Sequence, residues 1–144
     1  MKRKAVATWK GTGLEGSGEL TTKSGALKGL PYSYKARFKN EEGIDGTNPE
    51  ELIAAAHAGC FGMALSFQLV GAGFTPEVLE TEGLVNFEEV DGGFKVTGIE
   101  LNLKAAVPGI KKGQFLELAE KTKKTCPISQ LLSSVEITLN AELV

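Results

Sequence analysis

Residues 47–74 read TNPEELIAAAHAGCFGMALSFQLVGAGF. From Leu52 to Phe74 the stretch has no Asp, Glu, Lys or Arg, yet it holds the chain's only histidine, His57, and Cys60, one of its two cysteines. Three readings compete: a membrane span, a core helix, or a helix that carries a reactive thiol. Asn48 suits an N-cap, Pro49 the first helical position, and Glu51 stands three residues after the cap, as in a capping box. A helix over 48–71 would be roughly 35 Å long at 1.5 Å rise per residue. Gly59, Gly62, Gly71 and Gly73, with His57, Ser66 and Gln68, dilute the apolar content below that of a Leu-rich span, and no basic residues flank it. The core-helix reading is therefore preferred over the membrane reading. Leu52, Ala56, Cys60, Met63 and Phe67 are expected to share one stripe. The other positions are mostly Ala, Gly, Ser and Ile, so the helix should be buried on several sides. Ala54, Ala55, Ala56, Ala58 and Gly59 would let another backbone come close, from the chain's own sheet, a partner helix or a second subunit.

The rest of the chain bounds that helix. A length of 144 residues implies one domain, 1–144, and 42% hydrophobic with 24% charged residues is the composition of a soluble globular protein. A net charge of −2 and a pI near 5.5 favour neither nucleic acid nor an anionic membrane as partner. The start, MKRKAVATWKG, is basic but lacks the apolar run of a secretory signal, and a cytoplasmic location is expected. Two cysteines far apart in such a chain do not make a permanent disulfide framework.

Flanking segments read mostly as strands. RKAVATWK and ELTTKSG suggest a hairpin, with GTGLEGSG as its turn. In YSYKARF, Tyr32, Tyr34, Ala36 and Phe38 alternate with polar residues, which predicts a half-buried strand with Arg37 on its polar face. NEEGIDG is a polar loop. LVNFEEV, DGG and FKVTGIELNLKAAV predict a long hairpin in which the alternation slips at Gly98, the mark of a β-bulge. QFLELAEKTKKTC predicts an amphipathic helix over 113–126 with Phe115, Leu118, Ala119, Thr122 and Cys126 near one face, stopped by Pro127. ISQLLSS is a turn or short helix, and VEITLNAEL an alternating strand.

Each cysteine lies on the expected apolar stripe of its own helix. These two helices are the only substantial ones, so they should meet, and Cα atoms within about 4.4–6.8 Å would let the thiols bridge. A lone buried cysteine is more often a small hydrophobe, and that reading stays open. Cys126 falls at a helix C-terminus, where the dipole opposes a thiolate, while Cys60 needs a cation brought to it. His57 could pair with Cys60, but a hydrogen-bonded core histidine is the preferred reading. Glu50 lies about 80° from Cys60 around the helix axis and Glu51 about 180°, which makes Glu50 the better acidic candidate for a site including Cys60.

TNPEELIAAAHAGCFGMALS, AGFTP, VPGI and CPISQLL…EITLNAEL closely resemble the OsmC/Ohr family, and WKGTGLEGSGELTTKSGAL and PYSYKARF extend the likeness over nearly the whole chain. The OsmC branch is the better match. The resemblance implies an α+β fold in which two long central helices, 48–71 and 113–126, are wrapped by antiparallel β-sheet in an intertwined homodimer. It implies an organic hydroperoxide peroxidase with Cys60 as reactive and Cys126 as resolving cysteine, and with Glu50 and Arg37 at the site. It implies no bound cofactor or metal, and a lipoylated protein or small dithiol (a dihydrolipoyl-type reductant) as partner. Phe61, Met63 and Phe67 are candidates to line a substrate pocket, although ordinary core is the simpler reading for each. A non-catalytic ligand-binding or scaffold protein with two structural thiols is the competing class. A zinc site from Cys60, Cys126 and His57 is a third, without the close ligand spacing such sites show.

Overall fold

Why TNPEEL opens a helix is visible at its first turn. Asn48 Oδ1 accepts the Glu51 N–H at 2.8 Å, and helix α2, Pro49–Gly71, follows. The Glu51 carboxylate accepts the Thr47 hydroxyl rather than reaching back to the cap. The computed structural model describes residues 1–40, 42–44 and 46–144. The chain forms two compact units, Met1–Leu52 and Ile53–Val144.

In the first unit, β1 (Ala5–Lys10), β2 (Ser17–Thr22) and β3 (Leu30–Ser33) form an antiparallel sheet in that order. Trp9 and Tyr32 meet across it with ring centroids 5.3 Å apart. The expected strand YSYKARF is corrected: it leaves the sheet at Ser33 and forms a short helix, α1, Tyr34–Phe38. The Ser33 hydroxyl accepts the Ala36 N–H at 3.1 Å as N-cap. Tyr34 and Phe38 stack with centroids 4.8 Å apart. Alternation at 32, 34, 36 and 38 also contains the i, i+4 pair that helices favour, and the serine cap decides between them. The loop NEEGIDG follows, and its Glu41 and Asp45 lie outside the described residues.

The second unit carries the core. Strands β4 (Val78–Val90) and β5 (Gly93–Ala106) form the long hairpin, turning at Asp91 and Gly92 with φ of 53° and 76°. Positive φ at both central residues is the primed turn that matches strand twist, and Asp-Gly is a favoured pair for it. The register shifts where Asn86 pairs Gly98 and Phe87 pairs Val96, so the bulge falls at the slip in alternation read from the sequence. Helices α3 (Lys112–Thr125) and α4 (Pro127–Leu131) then lead to β6 (Glu136–Leu143), which pairs with β5 in parallel. The sheet is therefore mixed, which corrects the wholly antiparallel expectation. Parallel pairing needs a crossover of a dozen or more residues, and α3 and α4 supply it.

Phe61, Leu65 and Leu69 of α2, Leu101, Leu103 and Ala105 of β5, and Phe115, Ala119 and Cys126 pack into one buried cluster. Full burial of each large side chain contributes about 1.5–3 kcal/mol. The buried positions of α2 are His57, Phe61, Leu65 and Leu69, not the expected stripe of Leu52, Ala56, Cys60, Met63 and Phe67. Met63 and Phe67 are 66% and 74% exposed in the single chain. A helix that is apolar nearly all round has little directional bias, so only its neighbours select the inward face. The small residues act as expected: the Ala54 carbonyl lies so close to β4 that a Cβ on Gly83 would stand 2.8 Å from its oxygen.

Candidate functional site

The two helices bring the two thiols together. Cys60 and Cys126 are free cysteines with Sγ atoms 3.0 Å apart. Cys126 is fully buried, whereas Cys60 is only partly so. Cys126 is the C-cap of α3 and also the N-cap of α4, with Pro127 at the first position. The expected opposition of a helix C-terminus is therefore joined by the donor end of a second helix. Ile128 and Ser129 occupy the second and third positions of that helix. No side-chain cap hydrogen bond closes onto the uncharged thiol, a weak acceptor.

These neighbours split the two acidities. Burial raises the Cys60 pKa, the hydrogen bond with Cys126 and that group's charge raise it further, and the Ile128 N–H opposes them. Burial also pushes Cys126 upward. There the hydrogen bond with Cys60, the Ser129 N–H and hydroxyl and the Ile128 N–H together outweigh it, and the pKa falls below the ordinary thiol value.

His57 is fully buried and its Nε2 lies 2.7 Å from Ser129 Oγ. This is the hydrogen-bonded core histidine preferred from the sequence, not a partner of Cys60, and burial lowers its pKa. It does not join the sulfurs as a third metal ligand. Among the described residues no group of three His, Cys, Asp or Glu is placed to hold a metal.

Arg37 and Glu50 are brought together in the first unit. Arg37 Nη2 and Nε donate to the two Glu50 carboxylate oxygens at 2.6 and 3.1 Å, a bidentate pair. The guanidinium carbon also lies 5.1 Å from the Phe38 ring centroid. Of the pocket candidates, Phe61 belongs to the buried core, and Met63 and Phe67 to the exposed side of α2. Sequence reasoning missed Ser129. Its signal was Cys-Pro followed by serine, an N-cap, first-position proline and third-position hydroxyl.

The OsmC-like protein family matches residues 40–140 of this chain. The chain belongs to the OsmC/Ohr family. It is 47% identical over 141 residues to peroxiredoxin OsmC of Escherichia coli (strain K12), spanning 98% of this chain and 96% of that protein. It is 34% identical over 116 residues to organic hydroperoxide resistance protein OhrB of Bacillus subtilis (strain 168), spanning 79% and 80%. The crystal structure of OhrB superposes with a TM-score of 0.69 at 28% identity, over 98% of both chains. An organic hydroperoxide resistance protein from Elizabethkingia anophelis gives 0.74 at 26% identity, over 100% of this chain and 99% of that one. The higher identity to the OsmC relative agrees with the branch read from the motifs.

Proposed function

We propose that this chain is a cysteine-based peroxidase that reduces organic hydroperoxides to alcohols, its two compact units acting as one OsmC-like domain over residues 1–144. The observation that carries this is a pair of free thiols 3.0 Å apart in a chain of the OsmC/Ohr family. Cys60 is assigned the first attack because its sulfur is the less buried and a hydroperoxide must reach it. The Cys60 thiolate attacks the distal oxygen of ROOH, the O–O bond breaks, and ROH leaves with a proton. Cys60 becomes a sulfenic acid. The Cys126 thiolate then attacks that sulfur, an S–S bond forms, and the departing hydroxide takes a proton to become water. A dithiol, small or carried on a lipoylated protein, restores both thiols by exchange.

Charge placement is the remaining requirement. Burial raises the Cys60 pKa, so first attack by Cys60 needs a cation. Arg37, held by Glu50 in a two-point ion pair, is assigned that role. Phe61, Met63 and Phe67 are assigned to the apolar environment that favours an organic over an inorganic peroxide. Exposed Met63, Phe67 and Val70 on α2 support a homodimer in which a second copy covers this side. Among the described residues α2 alone is long and apolar enough to span a membrane; Phe61, Leu65 and Leu69 on it pack into the buried cluster, which supports a core helix.

The test is thiol titration before and after one equivalent of an organic hydroperoxide, with hydrogen peroxide in parallel. A peroxidase loses both thiols, faster with the organic substrate, and regains them with dithiol. Retention of both thiols would leave a scaffold or ligand-binding protein instead.

A further inference from the structure

His57 is a fully buried titratable group that the thiol chemistry above does not use. Its Nε2 contacts Ser129 Oγ at 2.7 Å, while its Nδ1 is buried with no hydrogen-bond partner among the described residues. That asymmetry assigns the tautomer. An orphaned buried N–H is rarer in folded proteins than an under-satisfied acceptor, so the ring proton belongs on Nε2. Nε2–H then donates to Ser129 Oγ. The serine hydrogen is released from the histidine and must find another acceptor. Ser129 is itself 4% exposed, so water is a poor candidate; it stands three residues past Cys126 on the helix that Cys126 caps, and their contacts on α2, His57 and Cys60, are neighbours one turn apart.

We infer that Ser129 is a further catalytic residue of the thiol pair, its hydroxyl donating to the Cys126 sulfur whenever that sulfur carries charge, and that His57 is the positioning residue that turns the hydroxyl toward it. The charge arises twice in the cycle: when Cys126 attacks the sulfenic acid, and when reduction of the disulfide expels Cys126 as a thiolate. One fixed donor would serve both steps. The inference rests on the peroxidase reading for its place in the cycle, but the hydrogen bond itself does not. The titratable groups facing Cys126 are Cys60 from α2 and, through Ser129, His57 from the same helix. Lys123 and Lys124 lie in the last turn of its own α3, and Lys123 is paired with Glu120.

The experiment needs no peroxide, which separates its failure from failure of the proposed activity. In full-length Cys60→Ser protein, Cys126 is the only thiol, and its ionisation is followed by thiolate ultraviolet absorbance against pH. Adding Ser129→Ala should raise the midpoint by about one unit, roughly a tenfold loss of thiolate at neutral pH. Ser129→Thr, which keeps the hydroxyl, should restore it. His57→Phe removes the positioning donor while filling its space; it should raise the midpoint in the same direction and add little to Ser129→Ala. It also serves as the test if Ser129→Ala does not fold. A folded Ser129→Ala or His57→Phe protein with the parent midpoint would overturn the assignment.

Discussion

Gly83→Ala tests how closely α2 is held to its sheet, and through that how the reactive helix is placed. A Cβ at Gly83 would stand 2.8 Å from the Ala54 carbonyl oxygen and 3.4 Å from Ala54 Cα and carbonyl carbon. Ordinary contact begins at 3.4 Å, so about 0.6 Å of movement is required. β4 cannot readily supply it, because it is paired with β5 from Val78 to Val90. The load falls on α2, which carries Cys60 less than two turns beyond Ala54. Overpacking of this kind costs about 1–3 kcal/mol. Replacing a strand glycine by alanine returns roughly 0.5–1 kcal/mol through the unfolded chain. The net expectation is a loss of about 1–2 kcal/mol, read as a lower urea midpoint at unchanged slope. The same displacement should slow closure of the Cys60–Cys126 disulfide on oxidation. A Gly83→Ala protein as stable as the parent, with unchanged disulfide kinetics, would refute both the close approach and its bearing on the thiols.

With no thiol added, Cys126→Ser should consume one equivalent of organic hydroperoxide per chain and end as a Cys60 sulfenic acid that a dimedone-type probe labels, whereas the parent ends as an unlabelled disulfide; a parent labelled as fully as the variant would remove Cys126 from the cycle. Arg37→Ala should raise the Cys60 pKa, visible as a shift of the thiolate absorbance curve to higher pH in a Cys126→Ser background, and an unshifted curve would place Arg37 elsewhere. Phe67→Asp puts a charge on a side chain 74% exposed in the single chain, so a monomer should fold but sediment without its partner; an undisturbed dimer would mean that another surface holds it. His57 has a folded pKa below its ordinary 6.5, so its neutral form contributes fully to stability above about 6.5, and that contribution is lost as pH falls toward the folded value. Urea midpoints should therefore decline in this window for the parent and less so for His57→Phe; parallel declines would show that another group is responsible.

How much of this was legible depends on where the deciding interaction lies in the chain. The α2 start was readable because Asn48 and the Glu51 N–H are three residues apart and meet whatever the rest does. The Asp91-Gly92 turn and the bulge at Gly98 were readable for the same reason, as local punctuation of an alternating pattern. YSYKARF failed because its alternation is equally a helical i, i+4 pair, and Ser33 settles the matter as a cap. Ser129 went unnoticed because its partner His57 is 72 residues away in sequence.

Local order and chemical inventory were set by sequence alone: a capped apolar helix with a thiol, a second helix ending in Cys-Pro, and strands with period-two alternation. Those signals act over a few residues, within reach of single hydrogen bonds and side-chain spacing. Tertiary structure alone decided which side of α2 turns inward, that β6 returns parallel to β5, and that His57 meets Ser129, 72 residues away. Each depends on groups far apart in the chain, whose contact is chosen by burial of the whole cluster rather than by any one segment.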